Sequence, residues 1–138
     1  MFLRKDVKIE LLRKVPLFSR CSKASLEEIG AIADEIDLPD GRELTREGER
    51  GREFFVLVQG EVDVTKEGNH VRTLSDGDFF GEIALISDEA RTATVTAKGP
   101  IRVLVITDRA FKTLVERSPG IDAEVREAVA ERTTADDL

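Results

Sequence analysis

One cysteine, Cys21, stands in a chain of 138 residues, so no internal disulfide can staple it and the several thiolates of an iron–sulfur cluster or structural zinc site are missing. A lone histidine, His70, likewise gives no ligand set for a metal; it follows Gly68-Asn69 at a turn and is expected in solvent. No apolar run reaches the length of a membrane span or a signal peptide, and residues 1–20 open with Arg4, Lys5, Asp6, Lys8 and Glu10. A cytoplasmic protein is the expectation. Basic residues are also in deficit: 21 Lys and Arg against 28 Asp and Glu leave a formal charge of −7, which repels nucleic acid and argues against direct DNA binding. The N-terminus is the exception, with five basic and two acidic side chains in residues 1–14. There Leu3, Val7, Leu11 and Val15 recur at helical spacing, which favours a helix docked on its own domain over a membrane or partner anchor.

Two helical signals open the chain: KIELLRKV before Pro16, then LEEIGAIADEI with Ser22 and Ser25 as candidate N-caps and Leu26, Ile29 and Ile32 or Ala33 on one face. The period then changes. Between Leu38 and Phe80, short apolar segments are cut by Gly41, Gly48, Gly51, Gly60, Gly68 and Gly77, the pattern of hairpins. EFFVLVQ suits a strand buried on both faces, whereas GEVDVTKEG alternates, with Val62 and Val64 inward. TATVTA alternates as well, and IRVLVI is apolar and β-branched. Seven or eight such strands imply a closed β roll or sandwich. Helix returns with RAFKTLVER, capped by Asp108, and with IDAEVREAVAER, whose stripe is Ile121, Val125 and Val129 or Ala128; TTADDL reads as a frayed acidic tail.

The segment FFGEIALISDEA is too long for a tight hairpin and predicts one or two turns of helix begun by Gly81. The first turn of such a helix leaves the amides near Gly81, Ile83 and Ala84 open to an anion, and the small Gly81 and Ala84 let a ligand reach the backbone. Arg91, where the chain re-enters the sheet, adds a planar fork fitted to two phosphate oxygens. Glu82 repels phosphate but accepts from hydroxyls. A ligand carrying both a phosphate and a ribose hydroxyl would use the pair.

FGEIALISDEARTATV resembles the phosphate-binding cassette of the cyclic-nucleotide-binding domain, the module of catabolite-activator-type regulators, regulatory subunits of cyclic-AMP-dependent kinase, cyclic-GMP-dependent kinases and nucleotide-gated channels. Phe80 to Leu85 and Arg91 to Val95 carry the likeness, which with FFVLVQGEVDV and the upstream glycines covers roughly residues 12–120. The resemblance implies an eight-strand jelly-roll-like β barrel flanked by N- and C-terminal helices, a mainly β fold. It implies one domain over residues 1–138, with N-terminal helices about 5–35, β roll about 36–107, and hinge and lid helices about 108–132.

Also by resemblance, the ligand-binding residues are Phe80, Gly81, Glu82, Ile83, Ala84, Arg91, Thr92 and Ala93. Glu82 would take the ribose 2′-hydroxyl, Arg91 and the amides of Ile83 and Ala84 the cyclic phosphate, and Thr92 would lie beside the phosphate or base. Cyclic AMP is the first ligand and cyclic GMP the second, with no metal and no catalysis. The sequence departs from kinase regulatory domains in Ala90, where they often have proline, and in Asp88 and Glu89, which should face solvent. With no Tyr or Trp, and Phe111 the only aromatic after Phe80, an aliphatic side chain, Arg126 or a partner subunit must cover the base.

Other readings are weighed against these. Glu82 and Arg91 could simply pair with each other and pin a loop. Cys21 reads as a small apolar residue rather than a nucleophile, and DEID and SDEA as solvated surface. A nucleotide-free interaction module, or the sensor piece of a transcription regulator or channel, stays open as the alternative, as do a homodimer and an effector protein as partners.

Overall fold

Pro16 and Ser22 punctuate the first thirty residues as their backbone preferences require. A computed structural model of the chain describes residues 2–135, with side chains as far as residue 131. The chain divides into two compact units, Met1–Ile32 with Arg109–Leu138, and Ala33–Asp108.

The first unit is helical. Helix α1 (Lys5–Arg13) buries Ile9 and Leu12, so its stripe is centred away from the Leu3 and Leu11 expected to lead it. A 3-10 turn at Pro16–Phe18, begun by a proline whose fixed φ suits that position, buries Leu17 and Phe18. In α2 (Lys23–Ala31) the cap is Ser22, which accepts from the Ser25 amide at 3.1 Å. Ser25 is buried and donates to Glu124 Oε1 at 2.8 Å.

Helices α3 (Asp108–Arg117) and α4 (Pro119–Ala135) return to this unit, α4 burying Ile121, Val125 and Ala128. Glu127 and Glu131 of α4 both face Arg20, Glu131 taking two guanidinium hydrogen bonds. Burial, and secondarily Glu124, push the Cys21 thiol up to about 12, which keeps it protonated and fits the reading of a small apolar residue. The helix continues into the tail expected to fray at residue 133, and residues 136–138 lie outside the described residues.

The second unit is an antiparallel sheet of six strands: β1 (Asp34–Leu38), β2 (Glu43–Thr45), β3 (Glu53–Lys66), β4 (Asn69–Leu74), β5 (Phe79–Phe80) and β6 (Thr94–Thr107). Their order is β1-β6-β3-β4, with β2 pairing β6 and β5 pairing β3. The count falls short of the eight expected because EFFVLVQ and EVDVTK are one strand, β3, and TATVTA and IRVLVI are one strand, β6. Gly60, read as a turn, is a bulge inside β3: its φ is +107°, and a Cβ there would lie 2.7 Å from Ile101 Cγ2 and 2.9 Å from the Pro100 carbonyl. Phe54 to Leu57 are buried, and Val62 and Val64 turn inward as their alternation predicts. With Val95, Ala97, Ile101, Val103 and Val105 they build the core of this unit.

The stretch DEID overturns two expectations. It is strand β1 rather than the end of a helix, paired in register with β6 through Ile36 and Val103. Nor is it all solvated, for the Glu35 side chain is 4% exposed and its carboxylate accepts from Arg102 Nη1 at 3.0 Å. Arg102 also clasps both oxygens of Asp37, at 2.8 and 3.0 Å. Those hydrogen bonds hold the exposed Asp37 carboxyl below its usual range, so its contribution to stability is present above the ordinary carboxylate pKa and is lost as pH falls through the lower folded value. Asp37→Asn should therefore flatten the acid limb of the stability profile below about pH 4, followed by denaturant unfolding. Identical slopes for the two proteins there would count against this role.

Candidate functional site

Strand β5 ends where Gly81 turns left-handed at φ +84°, and Glu82–Leu85 then form a single turn of helix, of the tighter 3-10 kind, within the one or two turns expected. The turn sits on the sheet core. Phe80 stacks on Phe55 with ring centroids 5.0 Å apart, and Ala84 and Leu85 are buried. The Ala84 amide, expected to be open, donates to the Gly81 carbonyl at 3.1 Å, as the tighter helix requires. Ile83 and Ile86 are large apolar side chains left exposed beside it. Glu82 is only 8% exposed, a carboxylate placed among Phe, Ala and Leu neighbours in sequence.

Arg91 comes back to this turn from the far side of the loop. Its amide donates to Glu49 O at 2.7 Å and its carbonyl accepts from the Gly48 amide at 2.9 Å, which fixes the main chain. The guanidinium is half-buried and donates through Nη2 to the Glu53 carbonyl at 2.5 Å and through Nη1 to the Gly81 carbonyl at 3.4 Å. Neither bond goes to Glu82, so the loop-pinning ion pair has no support in this geometry. Burial lowers the Arg91 pKa from its ordinary value, with Glu53 acting weakly the other way. An arginine stays cationic under such burial, and the lost hydration favours an anion beside it.

Two glycines make the space for that side chain. A Cβ on Gly51 would fall 2.6 Å from Arg91 Nε, and one on Gly81 would fall 2.5 Å from Nη1 and 3.0 Å from the Glu53 carbonyl. Gly51 and the Glu53 carbonyl were missed as site components. The usable signal was the close pair of glycines in GERG ahead of a buried strand, since two glycines so near together imply backbone approached by something.

Of the residues expected to act together, Phe80, Gly81, Glu82, Ile83 and Ala84 form the turn itself, and Arg91 is brought onto it. Ala93 packs against the core while its carbonyl accepts from Thr45 Oγ1 at 3.0 Å; Thr92 is exposed. Asp88 is 81% exposed and paired with Arg50, and Glu89 is exposed and bonded to Ser87. In the helical unit, Phe111 is buried with its ring centroid 5.9 Å from that of Phe18, and Arg126 pairs with Asp122 at 3.0 Å. A buried acceptor and a guanidinium fork on one short turn can hold an anion that also offers a hydroxyl donor.

The family model described as cyclic nucleotide-binding domain matches residues 35–118. The chain belongs to that family. Among related cyclic nucleotide-binding proteins, a cAMP-dependent protein kinase regulatory subunit from Mycosarcoma maydis is 40% identical over 124 residues, covering 81% of this chain and 23% of that protein. A cGMP-dependent protein kinase, egl-4, from Caenorhabditis briggsae is 37% identical over 114 residues, covering 78% of this chain and 15% of that one. This chain thus spans a quarter or less of the length of these two relatives. The crystal structure of the N-terminal domain of a transcriptional regulator from Streptomyces coelicolor superimposes with a TM-score of 0.81 at 26% identity, covering 93% of this chain and 98% of that one. No helix among the described residues is long and apolar enough to cross a membrane.

Proposed function

We propose that this cyclic nucleotide-binding domain is a sensor that takes cyclic AMP, with cyclic GMP as second choice, and has no catalytic activity of its own. The observation that carries the reading is Arg91: a half-buried guanidinium, held by two main-chain carbonyls and, among the described residues, by no carboxylate hydrogen bond, brought onto the turn that carries the buried Glu82. Glu82 accepts from the ribose 2′-hydroxyl. Arg91 and the Ile83 amide bind the cyclic phosphate, and the Ala84 amide joins them by exchanging its 3-10 bond to Gly81. Phe80, Gly81 and Ala93 shape the turn, and Thr92 lies at the rim beside phosphate or base.

The two units act as one domain. The six strands make eight segments once β3 and β6 are each counted on both sides of their bends, which supports a jelly-roll-like barrel. Ligand at the turn shifts α3 and α4 as hinge and lid, a coupling typically of about 1–3 kcal/mol. The output is read by an effector protein or a second copy of the chain, and the likeness to a regulator's N-terminal domain supports the sensor piece of a larger protein.

The test is a melting experiment with each nucleotide. At a ligand concentration a hundred times Kd the stabilisation is about 2.7 kcal/mol, a shift of several degrees. No shift with either nucleotide would favour the nucleotide-free interaction module. Competition calorimetry ranks the two ligands, and a tenfold preference for cyclic GMP would reverse the order proposed.

A further inference from the structure

The loop that ends at Arg91 carries two carboxylates, Asp88 and Glu89, where an anion site would be expected to avoid them. Glu89 stays within its own loop, its carboxylate accepting from the Ser87 hydroxyl and its amide donating to that same oxygen, but Asp88 reaches across: its Oδ1 accepts from Arg50 Nη2 at 2.5 Å. The backbones of the two segments run antiparallel there. Arg50 bridges Ala90, and next to it the Arg91 amide donates to Glu49 O at 2.7 Å while the Gly48 amide donates to Arg91 O at 2.9 Å. Arg50 therefore adjoins Gly51, whose bare Cα makes room for the Arg91 guanidinium, and at the same time covers the charge of Asp88.

The pair is exposed, Arg50 48% and Asp88 81%, and exposed pairs add little to folding. Its consequence is local. An unpaired Asp88 three residues from Arg91 would compete for that guanidinium and repel an incoming phosphate, whereas a paired one presents almost no net field.

We propose that Arg50 is a positioning residue of the anion site, acting through Asp88: it takes up that carboxylate's charge and leaves Arg91 available to the ligand. The inference rests on the nucleotide reading of the site. Its test is a cycle of wild type, Arg50→Ala, Asp88→Asn and the double variant, each titrated calorimetrically with cyclic AMP and with cyclic GMP at low and at high salt.

Arg50→Ala should weaken binding by about three- to fivefold at low salt, the upper reach of an exposed pair, and by less at high salt, where exposed charges are screened. In the Asp88→Asn background the same change should have almost no effect. Arg50→Lys should restore most of the affinity, and all variants should melt within a degree or two of wild type. An equal loss in both backgrounds would mean that Arg50 contacts the ligand directly and would overturn the inference, as would no loss in either. Wild type failing to bind both nucleotides would instead overturn the reading of the site itself, and the role of Arg50 with it.

Discussion

Arg91→Ala is expected to weaken cyclic-nucleotide binding by two to three decades or more while leaving the unliganded fold nearly unchanged. The cyclic phosphate would lose its main counter-charge in a partly dry site, a loss comparable to breaking a buried pair, about 3–5 kcal/mol. The unliganded protein loses much less, because among the described residues the side chain bonds to the Glu53 and Gly81 carbonyls alone, and the chain itself stays tied by the hydrogen bonds of the Arg91 main chain to Glu49 and Gly48. Arg91→Lys should recover only part of the affinity, since an ammonium keeps the charge without the fork. Calorimetry and denaturation of both variants, with Glu82→Ala and the double variant beside them, decide the matter. If Arg91 served only to pair with Glu82, the two alanine variants would destabilise the unliganded protein equally and couple strongly without nucleotide. Unchanged binding by Arg91→Ala would end the proposed reading of the turn.

Phe55→Ala is expected to cost about 3–5 kcal/mol of stability, seen as a fall in melting temperature on the order of 10 °C or more. Phe55 is 4% exposed, belongs to the cluster of Leu57, Val62, Val103 and Val105, and stacks on Phe80 with planes inclined by 20°. Removing the ring leaves a cavity that rigid, paired strands on both sides cannot collapse to fill. Because Phe80 immediately precedes Gly81, the same cavity loosens the support of the turn, and nucleotide affinity should fall along with stability. Phe55→Leu keeps most of the volume and should lose about 1–2 kcal/mol. A loss under about 1 kcal/mol for the alanine variant would show that Phe80 or its neighbours move into the space.

Much of this protein was legible from local pattern. The uninterrupted EFFVLVQ and the alternating EVDVT state their burial directly, because side chains two apart on a strand share a face, and the helical stripe of Ile121 and Val125 does the same at its own period. That Phe80 to Ala84 form a turn to which Arg91 returns was legible too, from a glycine-begun run of small and apolar residues too long for a tight hairpin. What local pattern left undecided was which partner each segment finds. Gly60 looks the same in sequence whether it closes a hairpin or bulges a continuous strand, and it was the facing Pro100 and Ile101 that made it a bulge and reduced eight segments to six strands. Asp34 to Asp37 would serve as a helix end until β6 offers them a register and a guanidinium, Arg102, that holds the carboxylates of Glu35 and Asp37. The cradle of Arg91 lies furthest from the sequence: its tightest acceptor, the Glu53 carbonyl, is 38 residues away, and a main-chain oxygen has no letter of its own. Periodicity and turn chemistry are properties of neighbours along the chain, whereas register, bulges and the aim of a buried cation depend on what the rest of the fold places opposite them.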